Sequence, residues 1–371
     1  MRLATFNVEN MFERPKAMNL DTWEEGRAVL NDFACLNRLI QEPDYSKKIK
    51  EEIIEAMKRH KGLLTTGGSK YIRLYDIRGK FLSKPKNKPV DVAAAGRGDW
   101  IGWFKLIPEA VKETATMNTA RVIGLLNADV LCVIEAENRV VLKKFNDGVM
   151  PMVHLKQFDH IMLIDGNDDR GIDVGIMTKN EYDIVKMISH VDDRDEKGII
   201  FSRDCAEYEI KTEKGNTLLL LVNHFKSKGY GKPAEAAEKR YRQAKRVREI
   251  YDLRINQGYD YVAIIGDLNE IPEEYPMSPL LREGSDLTDI MIHPKFVGDG
   301  RPGTHGNGTK SAKLDYILMS PKLSDKVISG GIERKGVWGG EKGTLFPHLE
   351  EIKNKTDAAS DHAALWVELD I

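Results

Sequence analysis

Residues 261–272 read YVAIIGDLNEIP. Residues 261–266 predict a strand buried on both faces, because the apolar side chains there do not alternate with polar ones. Gly266, at its end, lets the backbone turn or approach a ligand closely. Asp267 and Asn269, two apart, then share one side of the chain at the strand end. A carboxylate and an amide at the mouth of a buried strand suit the positioning of a water, a phosphate oxygen or a metal. Asp and Asn also favour turns, so this stretch by itself fits a turn as well as a site. The rest of the chain decides between them.

The arrangement recurs along the sequence. Residues 2–8 (RLATFNV) predict a strand at the very start, ending in the polar cluster Asn7, Glu9 and Asn10. Residues 129–134 (DVLCVI) run straight into Glu135 and Glu137, and 217–222 (TLLLLV) end in Asn223 and His224. The strand LDYILM at 314–319 carries Asp315, and Ser360, Asp361 and His362 lead into ALWVEL. Buried acids are rare unless paired or metal-bound. Separate structural explanations for every one of these strands would be strained, so the pattern predicts one convergent site at one rim of a sheet system.

The remaining segments are organised around that core. Residues 44–60 predict a helix with Asp44 or Ser46 as N-cap, 70–83 a hairpin turning near Arg78 and Gly79, and 84–89 a Pro/Lys-rich loop. In GRGDWIGW (96–103), Arg97, Asp99 and Trp100 read as a loop salt bridge beside a packed ring rather than as substrate contacts. Residues 13–118 as a whole read as an insertion or lid on a single domain spanning 1–371. A helix is expected over 108–127 and another, long and basic, over about 234–256. In the second, Ala237, Tyr241, Ala244, Val247 and Tyr251 would bury, leaving the basic residues as a solvated face. Lys226 and Lys228, just after His224, are placed to meet a phosphate directly.

Bulk properties narrow the function classes. The 371 residues are 41% hydrophobic and 31% charged, a globular composition. Lys and Arg total 56 against 58 Asp and Glu, a net charge of −2, so a nucleic-acid ligand has no global electrostatic pull and its attraction must be local. Cys35, Cys132 and Cys205 are an odd number without metal spacing, which fits a reducing compartment. No apolar run approaches a membrane span, and MRLATFNVEN has no signal pattern, so the expectation is a cytoplasmic protein without a membrane partner.

Carboxylates and Asn without thiolates make a hard, oxygen-rich site, favouring Mg²⁺ or Mn²⁺ over zinc. A divalent cation beside two histidines suits phosphate-ester hydrolysis, with Asp315 or Asp361 holding one imidazole in the right tautomer. The GxSxG, GxxxxGK[ST] and GxGxxG patterns of other chemistries are absent in the required settings.

The motifs FNVEN (6–10), DVLCVIE (129–135), NHFKSKG (223–229), IGDLNEIP (265–272), LDYIL (314–318) and SDH (360–362), in this order, resemble the endonuclease/exonuclease/phosphatase (DNase I-like) superfamily, nearest its bacterial nuclease-like members. The resemblance implies a four-layer α/β sandwich, two mixed sheets face to face with helices outside. It implies that Asn7, Glu9 and Glu135 bind the metal, with Asp361 completing the shell, and that Asp267 and Asn269 position the attacking water and the phosphate. His362 would meet the scissile phosphate, oriented by Asp315; His224 would be the second phosphate histidine, backed by Asp173. Arg203 would bind phosphate. The expected function is metal-dependent phosphodiester hydrolysis by direct water attack, with nucleic acid, DNA or RNA, as substrate. The alternatives are a phosphatase or phosphodiesterase for a small-molecule or lipid-headgroup phosphate, and a non-catalytic binding module on the same fold.

Overall fold

The strands follow the apolar runs. They are, in chain order within the two large sheets, β1 (Arg2–Asn7), β2 (Val130–Ala136), β3 (His160–Leu163), β4 (Asp173–Thr178), β5 (Asp183–Ile188), β6 (Cys205–Lys211), β7 (Thr217–His224), β8 (Tyr261–Asp267), β9 (Thr288–Asp289), β10 (Phe296–Val297), β11 (Asp315–Met319), β12 (Val327–Glu333) and β13 (Ala364–Leu369). This is a computed structural model, and it describes residues 1–371 except 10, 12–14, 19, 21–22, 110, 169, 230–231 and the side chain of Trp23. Asn10, singled out above, lies outside the described residues. One sheet has the order β10-β12-β13-β1-β2-β4-β3, the other β9-β11-β8-β7-β6-β5.

The period of two along each strand explains the layering. In β7, Leu218, Leu220 and Val222 join Leu3, Cys132 and Ile134 of the other sheet in one core, so the sheets pack face to face. Leu219 and Leu221 point the other way, onto Val247 and Tyr251 of the helix Pro233–Asn256. Leu131 and Val133 of β2 likewise meet Val122, Ile123 and Leu126 of the helix Glu113–Leu126. Both faces of these strands are buried, which is why their sequences are continuously apolar. The result is helix, sheet, sheet, helix, as the family resemblance implies.

Each sheet is centred on one parallel pair with a helix in the connection. β1 pairs in parallel with β2, with Asn7 opposite Ile134. β7 pairs in parallel with β8, with His224 opposite Asp267. β11 then runs antiparallel to β8 and sets Asp315 opposite Asp267.

The chain divides into two compact units: residues 1–12, 111–228 and 232–371 form the first, and 13–110 with 229–231 the second. In the second, Ser46 caps the helix Lys47–Lys58 by accepting from the Ile49 N–H. The expected 70–83 hairpin does not form. Strand Ile72–Arg78 pairs with Ile101–Leu106 instead, while Leu82–Ser83 pairs with Asp91–Val92. The reason is burial: Phe81 goes into an aromatic cluster with Trp100 and Phe104, and the strand that pairs with Ile72–Arg78 comes only after residue 100. Trp100 packs there as expected. Arg97 donates to the Gly102 carbonyl and Asp99 accepts from the Ala95 N–H.

The first-unit helices also differ from expectation. The earlier one begins at Glu113, not 108. On the long helix, Ala236 and Arg240 bury where Ala237 and Tyr241 were expected to. Its basic face is not simply solvated: Arg240 pairs with Glu270 (3.0 Å), Arg246 with Asp193 (2.7 Å) and Arg254 with Glu207 (2.6 Å). No helix among the described residues is long and apolar enough to cross a membrane.

Candidate active site

Asp267 ends β8 at the rim where the two sheets meet. Its Oδ2 accepts from Asn7 Nδ2 across the sheets (3.1 Å). The same oxygen lies 3.6 Å from His224 Nε2 and 3.9 Å from His362 Nε2. Asp267 Oδ1 accepts from the Asn269 N–H (2.9 Å). One carboxylate thus stands between two imidazoles and accepts from two neutral N–H donors, the Asn7 amide and the Asn269 backbone.

The backbone is bent to make this cluster. Glu9 (φ 54°), Glu135 (φ 67°) and Asn269 (φ 51°) all adopt left-handed conformations, each costing roughly 1–3 kcal/mol that surrounding contacts must offset. Gly266 has φ 127°, and a Cβ there would sit 2.1 Å from the Asn223 carbonyl oxygen. Only glycine lets β7 and β8 run together just before His224 and Asp267.

The two imidazoles are driven in opposite directions. His362 Nδ1 bonds Asp315 Oδ2 at 2.8 Å. Burial alone would lower its pKa, but Asp315, Asp267 and Asp361 override it and hold the imidazolium well above its ordinary range. For His224, burial, reinforced by Arg203, pushes the pKa well below normal and favours the neutral ring. Burial, with the charge of Asp315 added, pushes Asp267 up to about 7.

The acids expected to hold a metal lie beside this cluster. The Glu9 N–H donates to Asn7 Oδ1 (3.0 Å), and Glu9 Oε2 accepts from the Asp361 N–H (2.9 Å). Glu135 Oε1 is 3.6 Å from His224 Nε2. The donors are carboxylate and amide oxygens at a partly open rim, with Glu135 14% and Asp361 36% exposed. That set fits a hard divalent cation. Two groups of three potential ligands also come together among the described residues: His305, Asp361 and His362, and Asp267, Asp315 and His362.

Other expected residues fall elsewhere. Arg203 is 1% exposed, pairs with Asp168 (2.9 Å) and donates to the Phe225 carbonyl (2.8 Å). That carbonyl also accepts from Asn269 Nδ2 (3.2 Å), so Arg203 braces the cluster from behind. Asp173 does not back His224: its Oδ1 accepts from the Gly166 N–H (2.8 Å), and His224 Nδ1 has no hydrogen-bond partner among the described residues. Burial raises Asp173 to about 7. Lys228 is paired with Glu270. Burial, with Arg203 and Arg170 nearby, lowers Lys226 to about 7.

Three residues hold positions to which the sequence reading assigned no role. Thr304 Oγ1 donates to Asp315 Oδ2 (2.6 Å) and accepts from the Asp315 N–H (3.0 Å). Ser360 Oγ donates to the Asn7 carbonyl (2.7 Å) and accepts from the His362 N–H (2.9 Å). His305 Nε2 reaches Asp361 Oδ2 (3.3 Å), and its ring meets that of His362 edge-on at 4.8 Å. Ser360 was visible beside Asp361. His305 and Thr304 stand in a Gly-rich loop with no apolar pattern to flag them.

Comparison with known proteins agrees with this architecture. Residues 109–293 match the model of the Endonuclease/Exonuclease/phosphatase family, a span that includes Glu135, His224, Asp267 and Asn269. No curated protein matches significantly in sequence. Among solved structures, a Bacteroides thetaiotaomicron mannosyl-6-phosphatase superposes with a TM-score of 0.51 at 18% identity, covering 70% of this chain and 92% of its own. An endonuclease/exonuclease/phosphatase family protein from the same organism gives 0.50 at 17% identity, covering 69% and 86%. The chain belongs to the endonuclease/exonuclease/phosphatase superfamily of metal-dependent phosphoesterases.

Proposed function

We propose that this protein hydrolyses phosphodiester bonds by direct attack of water, with nucleic acid as its substrate. The observation that carries the reading is Asp267 Oδ2, shared by Asn7 and flanked by the two imidazoles at a rim lined with oxygen donors. Asp267, with its pKa pushed up to about 7, accepts the proton of the attacking water. Asn269, fixed by Asp267 and the Phe225 carbonyl, orients the water and a phosphate oxygen. His362, held in its charged form, meets charge developing on the phosphoryl group, and Asp315 keeps its Nδ1–H in place. His224, neutral, donates or accepts a hydrogen bond without adding charge. Asn7, Glu9, Glu135 and Asp361 would hold Mg²⁺ or Mn²⁺, which supplies Lewis-acid stabilisation of phosphoryl oxygens.

The second reading is a small phosphate ester as substrate. The net charge of −2 favours it, because a polymer gains no global attraction. In both readings residues 13–118 are an insertion that selects substrate; removing 40–95 is expected to change substrate preference while metal binding persists.

The experiment is hydrolysis of bis-p-nitrophenyl phosphate and p-nitrophenyl phosphate with Mg²⁺, Mn²⁺ or EDTA, beside single-stranded and duplex DNA and RNA. Metal-dependent cutting of a polymer is expected. Cleavage of the small esters alone would replace the first reading with the second.

A further inference from the structure

We propose that the two-stranded ribbon of the smaller unit is a docking platform for single-stranded nucleic acid, bound by base stacking and phosphate pairing. The strands Ile72–Arg78 and Ile101–Leu106 pair antiparallel, with Arg73 opposite Lys105 and Tyr75 opposite Trp103. Side chains alternate faces, so these four share one side. Ile72, Phe104 and Leu106 go to the other side and are buried.

The outward side is unusual in what it displays. Tyr75 and Trp103 stack at 5.3 Å with their planes 12° apart. Trp103 is 44% exposed, and Ile77 and Ile101 beside it are 61% and 51% exposed. A cross-strand aromatic pair stabilises a ribbon by roughly 0.2–1 kcal/mol, which accounts for the pairing. It does not account for a flat aromatic and apolar strip left open to solvent.

Charge identifies the occupant. Between residues 61 and 88 the sequence carries eight Lys or Arg against one acid, Asp76, in a chain whose net charge is −2. Asp76 turns its carboxylate to the Phe81 N–H (3.2 Å). Stacked aromatics flanked by basic side chains suit a strand whose bases are unpaired, because a duplex hides the faces of its bases. The ribbon is a firm support: Trp100 stacks on Phe81 (4.1 Å) and donates its indole N–H to Tyr45 Oη (3.0 Å). Gly102 is required there, since a Cβ would lie 2.1 Å from the Tyr75 carbonyl oxygen.

The inference stands apart from the hydrolytic reading and is tested without hydrolysis. Fluorescence anisotropy in EDTA would follow binding of a labelled oligothymidylate of about 15 nucleotides, a length that spans such platforms. Trp103→Ala is expected to weaken binding about tenfold or more, as stacking losses do. Trp103→Phe should stay within about threefold, because it keeps a ring face. Arg73→Glu should also weaken binding, most at low salt. An abasic phosphodiester chain and a duplex should bind about tenfold more weakly than the oligothymidylate. Unchanged affinity in Trp103→Ala, equal affinity for the abasic chain, or no oligonucleotide binding at all would overturn the proposal. Should Trp103→Ala lower the melting temperature, Arg73→Glu and Trp103→Phe decide, and equal weakening by both overturns it. Loss of this platform with small esters still hydrolysed would leave the active-site reading standing.

Discussion

Strands β1 and β2, and strands β7 and β8, are both parallel pairs with a helix in the connection, and both end at the same rim. The first pair supplies Asn7, Glu9 and Glu135; the second supplies His224, Asp267 and Asn269. What separates their carboxylates is water. Glu135 retains 14% exposure, whereas the side chains of His224 and Asp267 retain 1% and 2%. On the buried side, burial raises Asp267 to about 7 and pushes His224 well below its ordinary value. The same topology therefore yields an open end fit for a cation and a dry end fit for holding a proton.

The largest break in this contrast should come from Asp267→Asn. It removes the proton acceptor while preserving shape, and hydrolysis of bis-p-nitrophenyl phosphate should fall by about 10³-fold. An intact thermal melt would confirm that the loss is chemical. Asp315→Asn should be next, at about 10–100-fold in turnover, since it frees the His362 tautomer without removing the ring. Both limbs of the pH–rate profile should move down, because Asp267 and His362 each lose the Asp315 charge that raises their pKa.

Glu135→Gln would sharpen the other end. Calorimetric Mn²⁺ affinity should fall about tenfold or more, while the pH–rate profile measured at saturating metal keeps its shape. A changed profile would show that the open and dry ends are not separable.

The smallest effect concerns Asp173. Burial raises its pKa to about 7 in the native state, against about 3.9 unfolded. The native protein keeps a proton that the unfolded chain releases, so this group's contribution is full below about pH 4 and is lost as pH rises through about 7. The melting temperature of Asp173→Asn should fall less than that of wild type between about pH 5 and about pH 8. Equal slopes would show that Asp173 is not the source.

Much of this was legible in the sequence because each buried strand states its own ending. The runs before Glu135, His224 and Asp267 are apolar on both faces, and the polar residue that follows marks the rim. Register across the sheets then brings Asn7 to Asp267, something no local pattern encodes. His305 and Thr304 were missed for that reason: their partners Asp361 and Asp315 are 56 and 11 residues away. The ribbon was misread because a nearby turn at Gly79 looked sufficient, whereas the pairing strand begins at Ile101. On the long helix, acids from distant loops turned an apparently solvated face into ion pairs.

Glu9, Glu135 and Asn269 hold the left-handed backbone that glycine adopts freely. A library of this protein selected only for heat resistance should therefore drift toward glycine at these positions, gaining about 1 kcal/mol at each. Survivors of that selection would be sturdier and inert. Recovery of Glu and Asn under selection for turnover would reveal which of the three carboxylate and amide groups the chemistry cannot do without.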